Sequence, residues 1–132
     1  MSYLVSFERT PGFLCVTVAG QANFDNISGV WKDIARACKE FGCSNVLVDG
    51  ILSGRPSTLD IYRTGNRIHE VGLQPGLRVA FVSDAEHIAR LDFHESVIAT
   101  RAIGVSIRNF VARADAEIWL AERPCSCQEA LA

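Results

Sequence analysis

Four residues with the chemistry to bind or react, Asp49, Arg55, Ser57 and Thr58, fall within one short stretch of the chain. Ser57-Thr58-Leu59-Asp60 has the spacing of a capping box, with Asp in place of the usual Glu or Gln. A serine there accepts a hydrogen bond from a first-turn backbone N–H that the helix itself leaves without a partner. Arg55 stands beside that helix start, where the backbone donors already favour an anion. Asp49 closes the apolar run Val46-Leu47-Val48 and can fix the following loop as an acceptor or serve as a base. Ser83-Asp84-Ala85-Glu86 repeats the capping pattern after the apolar run Val79-Ala80-Phe81-Val82. Asp49, Arg55, Ser57, Thr58, Ser83 and Asp84 are therefore the candidate ligand- or partner-binding residues, with Gln21 and Asn23 as further polar lining. Capping is the first role of Ser57 and Thr58, and a solvated loop position the simplest one for Arg55.

The chain has no P-loop, no Gly-x-Gly-x-x-Gly, no Gly-x-Ser-x-Gly elbow and no His-Glu-x-x-His. No catalytic residue and no cofactor is assigned, and an enzyme is not expected. His87 and His94 are seven residues apart, whereas helical metal sites use an i, i+4 pair, so no metal site is expected; His69 follows the apolar Ile68. The five cysteines are an odd number without a Cys-x-x-Cys pair, which argues against a disulfide framework or a zinc module. Cys15 and Cys38 lie at apolar positions of a strand and a helix and read as small core residues, while Cys125-Ser126-Cys127 reads as an exposed free pair.

These residues need elements to hold them. Tyr3–Phe7 and Phe13–Val18 are rich in strand formers, and Thr10-Pro11-Gly12 between them predicts an antiparallel hairpin. Ile27, Val30, Trp31, Ile34, Cys38 and Phe41 form a helical stripe over residues 25–41, ended by Gly42. A strand at Asn45–Asp49 leads through the loop Gly50–Pro56 into a helix from Ser57, where Ile61, Thr64, Ile68 and Val71 share a face and Gly72 is the stop. Leu77–Val82 is a strand, 83–103 a long helical stretch with a shift of phase near Asp92, Val105–Val111 a strand, and Asp115–Ala121 a short helix with Ala116, Trp119 and Leu120 inward. The order ββαβαβαβα predicts an α/β fold: a single five-stranded mixed sheet, with an N-terminal antiparallel hairpin and the remainder parallel, and four helices on it. Residues 1–121 then make the domain and 122–132 a polar tail.

A length of 132 residues suits one domain with a real core. A net charge of −2 gives no electrostatic case for nucleic acid or an anionic membrane. No apolar run is long enough to span a bilayer, and Met1-Ser2-Tyr3-Leu4-Val5 lacks a basic region before an apolar one, so a cytoplasmic protein without a signal peptide is expected. Two tryptophans and several other aromatics in so small a domain leave scope for an exposed apolar patch, and hence for a homodimer.

The element order over residues 3–121 resembles the STAS superfamily, the fold of bacterial anti-sigma factor antagonists. It is closer still to the small SpoIIAA-like proteins, described as STAS/SEC14-type domains of unknown function. The strand ending in Asp49, the run Gly54-Arg55-Pro56-Ser57-Thr58-Leu59 and the ending Ala116-Glu117-Ile118-Trp119-Leu120 carry the likeness. The resemblance implies a non-catalytic regulatory module that binds a protein partner. In the antagonists a serine at the start of the helix after this strand is phosphorylated, which switches partner binding. Ser57 is its positional match and the candidate phosphoacceptor, with Thr58 second; Pro56 stands where the antagonist pattern has an acidic residue. The alternative is a small-ligand or anion-binding module, lipid included as the SEC14 likeness implies, with its site at loop 50–58.

Overall fold

A computed structural model describes residues 3–50, 58–67, 73, 75–84 and 104–123. The elements are β1 (Tyr3–Thr10), β2 (Phe13–Gly20), α1 (Phe24–Phe41), β3 (Asn45–Asp49), α2 (Thr58–Arg67), β4 (Arg78–Val82), β5 (Ser106–Phe110) and α3 (Arg113–Ala121). The sheet has five strands in the order β1-β2-β3-β4-β5. The β1–β2 pair is antiparallel and the pairs β2–β3, β3–β4 and β4–β5 are parallel, so the expected mixed sheet is present. Three helices lie among the described residues rather than four; the helix expected over 83–103 falls outside them from residue 85 on, as does the stop at Gly72.

Each element follows from local chemistry. The ring of Pro11 fixes φ near −65°, and Gly12 has a φ of 91°, the sign sequence of a type II turn. Thr10 Oγ1 donates to Phe13 O at 2.7 Å and closes that turn. Helix α1 starts one residue before the expected Asp25 because Asn23 caps it, its side chain accepting from Asn26 N–H at 2.8 Å. Its stripe Ile27, Val30, Trp31, Ile34 and Cys38 is buried.

Strand alternation divides the core in two. Leu14, Val16, Val46, Val48, Val79, Phe81 and Ile107 face α1, with Trp31 edge-on to Phe81 at 5.9 Å between ring centres. Cys15, Leu47, Ala80 and Val82 face the other way, onto Ala116, Trp119 and Leu120 of α3. The inward residues of α3 are those expected, but the helix begins at Arg113, two residues earlier than Asp115. β3 and β4 are covered on both faces and are apolar throughout their interiors, as central parallel strands must be.

The cysteines depart in part from expectation. Cys15 and Cys38 are free and buried, but Cys43 is disulfide-bonded. Odd count and spacing describe sequence frameworks; they carry no information on which distant thiols the fold brings together.

Tyr3 ties β1 to α1: its hydroxyl donates to Asp33 Oδ2 at 2.7 Å. The ring lies over Gly29, where a Cβ would stand 2.7 Å from Tyr3 Cε1. Burial first, and then the bond to Asp33, push the phenol up to about 12. Below pH ~10, the ordinary tyrosine value, folded and unfolded chains both keep the proton and this contribution is complete. Between about pH 10 and about 12 the unfolded chain ionises first, so stability falls as pH rises through that window. Urea titrations across the window should show a steeper alkaline loss for the parent than for Tyr3→Phe. Gly29→Ala, which displaces the ring, should flatten the slope in the same way. Equal slopes in parent and Tyr3→Phe would remove Tyr3 as the source.

Candidate functional site

The four parallel strands point to one edge of the sheet: β3, β4 and β5 end in register at Asp49, Val82 and Phe110, and β2 runs past Thr17, the partner of Asp49, to Gly20. Two backbone bonds carry the ladder just past the strands: Gly50 N–H to Val82 O at 2.9 Å and Ser83 N–H to Phe110 O at 3.1 Å. Strand order follows chain order without a reversal, so the edge has no topological switch point of the kind that opens a crevice in doubly wound sheets.

Asp49 alternates with Leu47, which puts its side chain on the α3 side of the sheet. There Arg113, the first residue of α3, meets it: Arg113 Nη1 lies 3.3 Å from Asp49 Oδ2. The same guanidinium donates from Nε to Glu117 Oε2 at 2.9 Å and places Nη2 3.7 Å from Cys15 Sγ. The bond to Glu117 is the main reason that Arg113 is pushed above its ordinary range. Burial raises the Cys15 thiol, and the nearby guanidinium acts in the opposite direction. Cys15 is thus a protonated core thiol at neutral pH. Arg113 and Asp49 are both half-exposed, so their pair adds little to stability, roughly 0–1 kcal/mol. What it does is hold the carboxylate of Asp49 toward α3.

On the other face α2 is fastened to the start of α1 through its second turn. The Arg63 guanidinium lies 4.1 Å over the Phe24 ring and 3.8 Å from Asp60 Oδ1. Thr64 Oγ1 donates back to Asp60 O at 2.9 Å. The polar lining from the first loop serves the fold as well: Asn23 caps α1, and the buried Asn26 donates from Nδ2 to Gln21 O at 2.8 Å. Ser83 is half-buried and Asp84 exposed at the end of β4. Thr58 is the first residue of α2, while Arg55 and Ser57 lie outside the described residues. Arg63 and Arg113 both face carboxylates.

Sequence reasoning missed Arg113, Arg63 and Asn26. Asn23-x-x-Asn26 repeats the spacing of a helix-start signal and was within reach of it. Arg113 stands 64 residues from Asp49, and no local pattern announces that pairing. Among the described residues no group of three or more His, Cys, Asp or Glu could hold a metal ion. His69, His87 and His94 lie outside them. No described helix is long and apolar enough to cross a membrane.

Large apolar side chains remain exposed around the same edge. Leu59 in the first turn of α2 is 66 % exposed, and Val111, directly after β5, 59 %. Leu4, 74 % exposed, pairs in register with Ala19 beside the end of β2, and Tyr62 is exposed one turn after Leu59.

No protein-family model matches the chain, and no curated protein does. Among solved structures it is similar to an uncharacterised protein of the DUF3478 family with a SpoIIAA-like fold from Shewanella loihica PV-4. That likeness has a TM-score of 0.51 at 19% identity and covers 89% of this chain and 93% of the other. With the five-stranded mixed sheet and the helix order described above, the chain has a SpoIIAA-like fold.

Proposed function

We propose that this chain is a non-catalytic regulatory module that receives a protein partner at the edge where its parallel strands end. The observation that carries the reading is a set of exposed apolar side chains on elements that reach that edge: Leu59 and Tyr62 on α2, Val111 after β5, and Leu4 on β1 at the far side of the sheet. Exposed leucine and valine do nothing for proton transfer, but a partner that covers them removes apolar area from water. The carboxylate of Asp49, already engaged by Arg113, is a fixed polar rim for such a surface rather than a base. Ser57 precedes Thr58, the first residue of α2, and stands two residues before Leu59 in sequence, so a phosphate on it would add negative charge at the start of that helix and alter docking there. The partner is a separate protein in the cytoplasm.

The test is photo-crosslinking of the full chain in its producing cells, with the reactive residue placed at Leu59, at Val111 or at the exposed Glu40 near the far end of α1. A discrete adduct from the first two positions and none from Glu40, weakened several-fold by Ser57→Asp, is expected. Equal labelling from Glu40, or none from Leu59 and Val111, would end the proposal. An adduct of twice the chain mass would replace the separate partner with a homodimer.

A further inference from the structure

We propose that Arg108 and Arg123, set over the buried Arg78 where α3 lies against β4 and β5, form a binding site for a phosphate monoester. Strand alternation places the site on the α3 side of the sheet. Ile107 faces α1, so Arg108 faces α3, as Arg78 does on the neighbouring strand. Ser106 is the register partner of Arg78, and Arg108 stands two residues further along the same face. Cations and rings alternate in a row there. The Arg78 guanidinium lies 4.0 Å over the Trp119 ring, Trp119 and Phe110 are 5.8 Å apart between ring centres, and the Arg108 guanidinium lies 5.7 Å from the centre of the Phe110 ring. A ring holds a guanidinium in place without neutralising its charge. Arg123 reaches the same place from the turn after α3. Its carbonyl accepts from Asn45 at 2.8 Å, and Asn45 is the register partner of Arg78 on β3.

These residues do not balance their charge among themselves. Burial is the main cause that lowers the Arg78 guanidinium; Glu122 opposes it, and the charges of Arg123 and Arg108 add to it, so both are near enough to be felt there. Glu122 is exposed, with Oε1 3.9 Å from Arg78 Nη2. Among the described residues neither Arg108 nor Arg123 has a carboxylate partner. Three positive charges thus meet one described carboxylate, in a chain whose net charge is −2. Like charges gathered at one place oppose the compact state unless an anion joins them. The two unanswered charges match a phosphate monoester, which carries about −1.5 to −2 near neutral pH on three acceptor oxygens. The guanidinium fork presents paired N–H donors to such oxygens. Arg108 and Arg123, both exposed, make those bonds. Arg78, whose Nη1 is committed to Trp119 O, supplies charge from beneath, and the exposed Ser106 adds a hydroxyl on the same side.

The experiment titrates inorganic phosphate into the full chain at constant ionic strength, replacing chloride, and follows the arginine Nε–H and tryptophan indole resonances. Saturable shifts at Arg108, Arg123 and Trp119 are expected, with none at Arg36, which is exposed on α1 and paired with Asp33. Arg108→Gln and Arg123→Gln should each weaken binding about tenfold or more. Both positions are exposed, so these variants should melt with the parent, and Arg36→Gln should bind as the parent does. Glu122→Gln, which removes the competing carboxylate, should tighten binding several-fold, a gain that a purely structural role of the arginines would not produce. Vesicles of phosphatidylcholine with and without phosphatidic acid separate the sources of the phosphate. Co-sedimentation that requires phosphatidic acid and is lost in Arg108→Gln assigns the site to a lipid headgroup; phosphate binding without co-sedimentation assigns it to a soluble ester. Shifts that do not saturate, affinity unchanged in both arginine variants, or no gain from Glu122→Gln would each overturn the proposal.

Discussion

Asn45→Asp should cost about 3–5 kcal/mol at neutral pH, although the two side chains have nearly the same shape. Asn45 is 1 % exposed. Its Nδ2 points at three carbonyl oxygens: Arg123 at 2.8 Å, Leu120 at 3.0 Å and Gly12 at 3.2 Å. Two amide hydrogens serve the three, so the longest contact is shared. An aspartate would turn an acceptor toward three acceptors and bury a charge, which the neighbouring Arg78, already committed to Trp119 O and the Trp119 ring, offsets only in part. Burial raises the folded pKa of that carboxyl above its unfolded value, so the variant should recover part of its deficit as pH falls and the carboxyl takes up a proton. Asn45→Ala, which leaves the carbonyls without their donor but adds no charge, should cost about 2–3 kcal/mol. Urea midpoints at neutral and mildly acidic pH measure both. A deficit for the aspartate variant no larger than for alanine, and flat with pH, would mean that the amide is not the clamp described.

Arg78→Ala should lower stability by about 3 kcal/mol, and Arg78→Lys should restore less than half of it. Arg78 opens β4 on the α3 side of the sheet and is buried. Its Nη1 donates to Trp119 O at 2.9 Å, near the carbonyl end of α3, and its guanidinium lies 4.0 Å over the Trp119 ring. The charge-assisted bond and the desolvated stacking contact each contribute roughly 1–2 kcal/mol. The ion pair to the exposed Glu122, at 3.9 Å, contributes little. Burial pushes the guanidinium below its ordinary range, but arginine has no protonation change near neutral pH. Lysine supplies charge but neither the planar stack nor the fork of donors. Thermal unfolding followed by tryptophan fluorescence reads both variants, and a lysine variant as stable as the parent would show that charge alone suffices.

The strand and helix order was legible because it is written in periodicity, and periodicity reflects burial. The stripe of α1, the Pro11-Gly12 turn and the inward trio of α3 follow from local pattern and stand where expected. The polar fastenings were not legible. Asn45 and Arg78 read as ordinary residues at strand starts, and their partners in α3 lie 75 and 41 residues away. Nor does periodicity say on which face of the sheet a terminal helix will lie, so Asp49 could be recognised as closing a strand but not as facing Arg113. At the candidate site itself Asp49, Ser83 and Asp84 stand at the shared edge as their strands require, whereas Arg55 and Ser57 lie outside the described residues.

Among the described residues, the two faces of the sheet are covered unequally. One carries α1, eighteen residues long, with a continuous stripe of large side chains. The other is covered by α3, which has nine residues and buries three of them, held at its two ends by Arg113 and by the Arg78–Asn45 pair. A short helix with so few apolar anchors forms the cooperative unit of lowest opening energy, and amide exchange should therefore release α3 before the central strands. Its departure would bare Cys15, Leu47, Ala80 and Val82 together while leaving the larger core closed. The expected result is a partially open form, reached by loosening two polar fastenings rather than by melting the sheet.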